Sequence, residues 1–376
     1  MKILENLIRH ISPNYALKRL QSDAVIKNYY EATKNTHLRK KRISGETTAN
    51  NQVNTSLVEM RELARELDRN HDMAKGILNT LVAKIVGSGI IPQPEIKGKD
   101  GKPLKELNRL ISKEFKRWSK NPDVTKSMSF GKASRLACRS WLRDGECLTK
   151  HHSGNVRGLL HDTNIKYSIE LLEGDYLPVM YEDEKKNIYA GIRFDKWGAP
   201  KTYYLNKILR DTNNITSHIN YYSPKDLTPI SADKVSHLAL RDRLHQARGM
   251  SCFASVFTRL DDIKDYEESE RVAARVAAAM TSFIKKPVNG ISSGVEQTDE
   301  TRYYEMQPGI IYDDLAPGEE PVSMQSNRPS GLLGDFRDAM LKMVSSGTGA
   351  GYSSISKNYD GSYVSRRQEQ VEQSAV

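Results

Sequence analysis

Cysteine is scarce in this chain: Cys138, Cys147 and Cys252 are the only three in 376 residues. An odd count leaves no closed disulfide framework, and the spacing fits no zinc motif, so the expectation is buried or half-buried thiols. Aromatics make up 7% of the residues, and none interleaves with the basic run Arg39, Lys40, Lys41 and Arg42. That excludes a stacking platform for single strands there. No apolar run reaches the roughly 18 residues of a membrane span. In MKILENLIRHISPNYALKRL, Glu5, Arg9 and His10 break the apolar character too early for a secretory signal, which leaves a short amphipathic helix. The localisation expected is cytoplasmic, or inside a particle assembled there.

Catalytic signatures are equally sparse. Gly347-Thr348-Gly349-Ala350-Gly351 lacks the Gly-Lys-Ser/Thr ending of a phosphate loop and follows a helical pattern instead of a strand. A flexible loop is the reading that remains. His151 and His152, with Cys147 and His161 nearby, suggest a metal cluster only superficially. Adjacent strand residues point to opposite faces, so surface histidines are expected. Glu173 and Asp175 have the form of a carboxylate pair, but a strand end closed by Gly174 explains them as well. No serine-hydrolase elbow is present and no Cys/His pairing is defensible. The chain is expected not to be an enzyme, with no cofactor and no metal.

What is present is charge. The formal net charge is +10, and residues 1–56 form a basic arm and linker in which Lys34 and Arg39–Arg42 lie close together. This arm is either a solvated tail or a contact for nucleic acid or an acidic partner. Hydrophobic residues are 38% of the chain and the mean hydropathy is −0.62. Both are polar for one compact globule and suit an elongated subunit that buries surface against copies of itself. A chain of this length normally holds two or more domains.

Residues 44–56, SGETTANNQVNTS, read as a linker. A long helical pattern then starts at Ser56, with Leu57, Met60, Leu63, Ala64, Leu67, Ala74, Ile77, Leu78, Leu81 and Ile85 at three- and four-residue steps. Gly87 and Gly89 end it. Further helices are predicted over 105–119 and 131–143, followed by a turn at Asp144-Gly145-Glu146. From Cys147 to about Leu240 the pattern becomes short alternating strands: 167–172, 188–194, 202–205 and 234–239, with a hairpin turn at Asp195-Lys196-Trp197-Gly198. Residues 253–286 are the longest helical pattern, alanine-rich in the second half. Residues 287–328 are strand and turn, and 331–346 return to helix. Between 299 and 320 the acids Asp299, Glu300, Glu305, Asp313, Asp314, Glu319 and Glu320 face the single Arg302.

Several segments then fall in a fixed order. They are Arg65, Arg69-Asn70, Gly76 and Val86-Gly87-Ser88-Gly89-Ile90; Trp118, Asp123, Phe130 and Arg143-Asp144-Gly145-Glu146; Leu171 to Leu177 around Glu173-Gly174-Asp175; Gly191-Ile192 to Asp195, Gly198 and Tyr203-Tyr204; Val235-Ser236-His237, Arg243, Gln246 and Arg248-Gly249; and Tyr352 to Arg366, with Tyr359-Asp360 and Tyr363 to Arg366. Together they resemble the lambda-type portal proteins of tailed bacteriophages, over about residues 57–367.

The resemblance implies an α+β fold with a mixed wing (57–252), a first stem helix (253–286), a small β-rich clip (287–328) and a second stem helix (329–346). It further implies a tunnel loop (347–361) and the start of a C-terminal wing helix (362–376), with the family's crown missing after Val376. The function implied is a homo-oligomeric ring, typically a dodecamer, at one capsid vertex, through which double-stranded DNA passes with weak non-specific contact. Expected partners are terminase, capsid or scaffold protein and head–tail connectors. The DNA-channel candidates are Gly347, Gly349, Gly351, Lys357 and Arg366. The acids Asp299, Glu300, Asp313, Asp314, Glu319 and Glu320 are the docking candidates. The competing class is a DNA-binding or DNA-processing protein that uses the basic surface, and it predicts tight DNA binding by a small oligomer.

Overall fold

The structure is a computed structural model and describes residues 48–207, 224–279, 283–285, 320–322 and 333–375. It divides into two compact units, residues 1–258 with 345–376, and residues 259–344.

The first unit opens with helix α1 (Ala49–Asn70), whose N-cap Thr48 accepts from the Asn51 N–H at 3.3 Å. Val53, Leu57, Met60, Ala64 and Leu67 bury one face. Part of the predicted linker is therefore helix: Val53 extends the apolar stripe one turn earlier than Leu57. The single long predicted helix is also two. His71 is extended (φ −123°, ψ 112°), and α2 (Asp72–Val86) starts after it and ends at Gly87. Asn70 and Asp72 flank the break, residue types that favour helix ends over helix interiors.

Helix α3 (Lys105–Trp118) and helix α4 (Phe130–Asp144) follow close to the predicted spans. The Trp118 indole N–H donates to the Tyr167 carbonyl at 2.9 Å, and its ring lies 5.3 Å from Phe130 and 5.6 Å from Tyr167. This aromatic cluster seats α3 by its apolar side.

Strands β1 (Glu146–Ser153) and β2 (Tyr167–Glu173) pair antiparallel. β7 (Val235–Ala239) covers the other edge of β1, giving the order β2-β1-β7. A second antiparallel sheet runs β3 (Ile188–Tyr189), β4 (Ile192–Phe194), β5 (Pro200–Asn206) and β6 (Leu227–Ser231). The predicted 188–194 strand is thus a tight hairpin around Ala190-Gly191, both at positive φ. The Asp195 carboxylate accepts from the Trp197 and Ala199 N–H groups at 2.8 Å each and fixes the predicted turn. Leu148, Leu172, Leu177, Ile192, Tyr203, Leu205 and Val235 from both sheets share one core.

The loop after β7 folds back on the corner between α4 and β1. The Leu240 N–H donates to Gly145 O at 2.8 Å, Met250 N–H to Leu240 O at 3.0 Å and Cys252 N–H to Leu142 O at 2.9 Å. Gly145 sits at φ 85°, and Gly249 lies so close that a Cβ on it would overlap the Gly145 carbonyl.

Helix α5 (Phe257–Ala279) is shorter than the predicted 253–286, and Phe283–Lys285 is a strand, β8, paired with β9 (Glu320–Val322). Helix α6 (Leu333–Thr348) follows. Within residues 259–344 the Tyr266 and Phe336 rings lie 4.7 Å apart, and Arg337 pairs with Glu267 at 3.3 Å. The glycine-rich run is mostly not an open loop. Residues 345–348 finish α6, and Gly351 N-caps a short helix α7 (Tyr352–Ser356) that packs on α2. The chain then enters α8 (Tyr363–Ala375), most of it exposed.

Gly249→Ala should lower stability by about 1–3 kcal/mol or more, because the corner has no room to relax. Gly76→Ala, in the open interior of α2 with nothing near its added Cβ, should raise it by about 0.5–1 kcal/mol. Urea denaturation of both variants tests this; equal midpoints would contradict the close approach at Gly145.

Candidate functional site: a buried ion network

Arg248 is fully buried and every one of its donors is used. Nη1 donates to the Leu177 and Ala190 carbonyls at 3.0 and 3.1 Å, and Nη2 to the Gly174 carbonyl at 3.0 Å and to Glu146. Nε reaches Glu146 Oε2 at 2.9 Å. Glu146, also fully buried, accepts in addition from Arg61 Nη2 at 2.7 Å and His237 Nε2 at 3.1 Å. A carboxylate can only accept, so His237 carries its proton on Nε2 there.

From this centre the pairs continue outward. Arg61 donates to Asp175 at 2.6 Å, and Arg65 joins Asp175, Asp144 (3.0 Å) and Glu173 (3.3 Å). Arg143 grips Asp144 with two bonds of 2.7 and 2.9 Å and reaches Asp68 at 3.3 Å. Arg139 also pairs with Asp68 and bonds Asn79 at 2.7 Å. Five arginines therefore meet five carboxylates across α1, α4, β1, the end of β2 and the loop after β7. Side-chain exposure rises from 0% at Arg248 and Glu146 to 17% at Arg65 and 55% at Glu173, so the costly, desolvated pairs are the inner ones.

The electrostatics follow from that packing. Burial alone raises the pKa of Glu146, but Arg248, His237 and Arg61 outweigh it and hold the carboxyl well below the usual carboxylate range. Burial is likewise overcome at Asp144 by Arg143 and Arg65, and at Asp175 by Arg61 and Arg65. The Cys147 thiol beside them is pushed up to about 12, chiefly by burial and then by Asp144, Glu146 and Glu173. A carboxylate this strongly held neither gives nor takes a proton near neutral pH, and such a thiol is not a nucleophile there. The arrangement is a clamp that fixes five segments of chain in one place.

Asp175 and Glu173 belong to this clamp and share Arg65. His151 is held between Tyr167 Oη and Ser236 Oγ at 2.7 and 2.8 Å, and His152 faces Glu170 at 2.8 Å on the other side of β1. Among the described residues no group of three His, Cys, Asp or Glu has the geometry to hold a metal ion. Gly347 lies in the last turn of α6, Gly349 is left-handed (φ 71°) and Gly351 is buried at the start of α7. Lys357 (φ 58°) closes α7 and is exposed, as is Arg366 in the first turn of α8. Asp299, Glu300, Asp313, Asp314 and Glu319 lie outside the described residues. Glu320 opens β9 opposite Lys285.

Residue spacing alone did not single out Arg61 or Arg248 as the centre. One signal was present: Arg61 occupies a core-facing position of α1, four residues after Leu57 and three before Ala64. An arginine there implies a buried anion.

Residues 35–376 match the lambda family of phage portal proteins. A probable portal protein of Halomonas phage phiHAP-1 is 24% identical over 331 residues, covering 84% of this chain and 61% of that protein. The chain thus spans about three-fifths of that relative's length. Among solved structures, a chain in the neck of an empty gene transfer agent (GTA) particle, computed with C6 symmetry, matches with a TM-score of 0.50 at 11% identity. It covers 84% of this chain and 75% of that one, and shows a shared fold.

Glu146→Gln leaves two buried guanidinium groups short of a counter-charge and should cost about 3–5 kcal/mol at pH 7. The sign with pH follows from the lowered pKa values of Glu146, Asp144 and Asp175. Their contribution is complete above the unfolded values of 4.5 and 3.8 and is lost as pH falls below these toward the folded values. Denaturant midpoints from pH 7 to pH 3 should therefore fall more steeply for the wild type than for Glu146→Gln. Parallel curves would show that Glu146 is not clamped in its ionised form.

Proposed function

The chain belongs to the lambda family of phage portal proteins, and from that membership we propose that it forms a ring at one capsid vertex. DNA enters and leaves the head through that ring, and the tail joins there. The observation that carries this is the family match over residues 35–376; the mixed helix-and-sheet fold shared with a gene transfer agent neck chain supports it.

In this reading residues 57–252 are the wing, built around the ion network. α5 and α6 act as the stem helices, and 287–328 form the clip between them. The tunnel segment 347–361 presents DNA with its exposed part, around Lys357, more than with Gly347, which lies against Val256 and Ser255. The acids of the clip, Asp313 and Asp314 among them, dock terminase or connector proteins. A conduit must not grip its cargo, because every phosphate contact adds salt-dependent affinity. Two exposed cations, Lys357 and Arg366, suit weak passing contact better than storage.

Negative-stain microscopy beside the solution mass tests the ring. Closed rings with a central channel are expected, from this chain or from one extended to the family's full length. A uniform monomer for both would overturn the proposal. Reversing the charges in Asp313→Lys/Asp314→Lys should weaken terminase or connector binding at least tenfold while rings persist; undiminished binding would remove the docking role.

A further inference from the structure

Helix α3 carries one feature that the conduit does not use. Residues 97–120 contain nine Lys and Arg against Asp100, Glu106 and Glu114, which is +6 (nine minus three) of the whole chain's +10. Lys105, Arg109, Lys113 and Lys116 recur at four- and three-residue steps, with Lys120 two residues beyond the helix end. That spacing places them on a single ridge roughly 17 Å long from Lys105 to Lys116. All five are exposed, and among the described residues none has an ion-pair partner. The opposite side of α3, through Phe115 and Trp118, is packed against Phe130 and Tyr167, so the ridge faces outward. The turn before the helix adds Lys97, Lys99 and Lys102, held by the Gly98 N–H to Lys102 O bond at 2.8 Å.

Like charges four residues apart on a helix repel and cost stability. A row of five, with Glu106 the one acid at a neighbouring helical position, therefore carries a local penalty that a polyanion would relieve. The ridge positions themselves are all cationic; Leu107 and Leu110 are exposed on the neighbouring face of α3 but do not interrupt the row, and a protein interface core requires an apolar centre. It has no aromatic side chain for stacking single-stranded bases. A duplex phosphate backbone asks only for spaced cations. We propose that the Lys105–Lys120 ridge is a sequence-independent binding surface for the phosphate backbone of double-stranded DNA, separate from the channel segment. It does not depend on ring formation, because all of its residues lie on one helix and the turn that follows.

The test compares three forms of the full chain. One is wild type. The second carries Lys105→Gln, Arg109→Gln, Lys113→Gln, Lys116→Gln and Lys120→Gln. The third removes the same charge elsewhere through Lys185→Gln, Lys196→Gln, Lys201→Gln, Lys225→Gln and Lys234→Gln, all exposed. Circular dichroism and thermal melting verify that each form folds. Fluorescence anisotropy then measures affinity for a short DNA duplex between about 50 and 200 mM salt. With a slope of about −0.9 per neutralised phosphate, the ridge variant should lose about 4 from the log–log salt slope. The charge-matched control should lose less than about 1. Equal losses in both variants would mean net charge alone attracts DNA and would overturn the proposal, as would no measurable duplex binding by the wild type. Poly-glutamate serves as the second probe: a ridge variant that loses poly-glutamate binding but keeps the wild-type DNA slope would assign the surface to an acidic protein instead.

Discussion

The Glu146–Arg248 pair is the constraint on which the first unit depends. Both side chains are completely shielded from water, and a buried ion pair holds only when geometry is good and the remaining donors are satisfied. Three backbone carbonyls, from Gly174, Leu177 and Ala190, complete the Arg248 shell. The positions of the β2 end, the β3–β4 hairpin and the loop after β7 are therefore set by one guanidinium group. The second sheet is tied to the first through a polar centre as well as through the shared apolar core.

The close approach of backbones follows from that centre. Gly174 has no side chain because a Cβ would meet Glu146 and Arg61, and Gly249 has none because the Gly145 carbonyl lies against it. The same loop is clipped to the start of α1: the Ala247 N–H donates to Asn50 Oδ1 at 2.8 Å and Arg243 to Gln52 Oε1 at 2.9 Å. The first helix, the first sheet and the loop are one mechanical piece.

Much of this is legible in the sequence. Helices α3 and α4, the turn at Asp195, the strand at 167–173 and the corner at Gly145 follow from apolar period, caps and turn residues. The six colinear segments that carry the family resemblance supply many members of the network: Arg65, Arg143, Asp144, Glu146, Glu173, Asp175, His237 and Arg248. Their order was visible; their convergence was not, because sequence spacing has no term for contacts between residues far apart in the chain. The start of α1 departs from the sequence pattern for a local reason. Asn50, Asn51 and Asn54 have low helix propensity, and the packing of Val53 together with the Thr48 cap overrides it. The glycines at 347–351 suggest slack, whereas Ala350 and Ile355 are buried and the helix that carries Ile355 packs on α2.

The clamp also sets a timetable. Arg61 leaves the ribosome 187 residues (248 minus 61) before Arg248, with Glu146 emerging between them. At roughly 5–20 residues per second, the nascent chain waits roughly 10–40 s for its central cation. During that interval α2 and α4, against which α1 packs, are already made, but the Glu146 carboxylate lacks its Arg248 partner. The central contacts span 85 residues of chain from Arg61 to Glu146 and 102 from Glu146 to Arg248, and long-range closure of this kind is intrinsically slow.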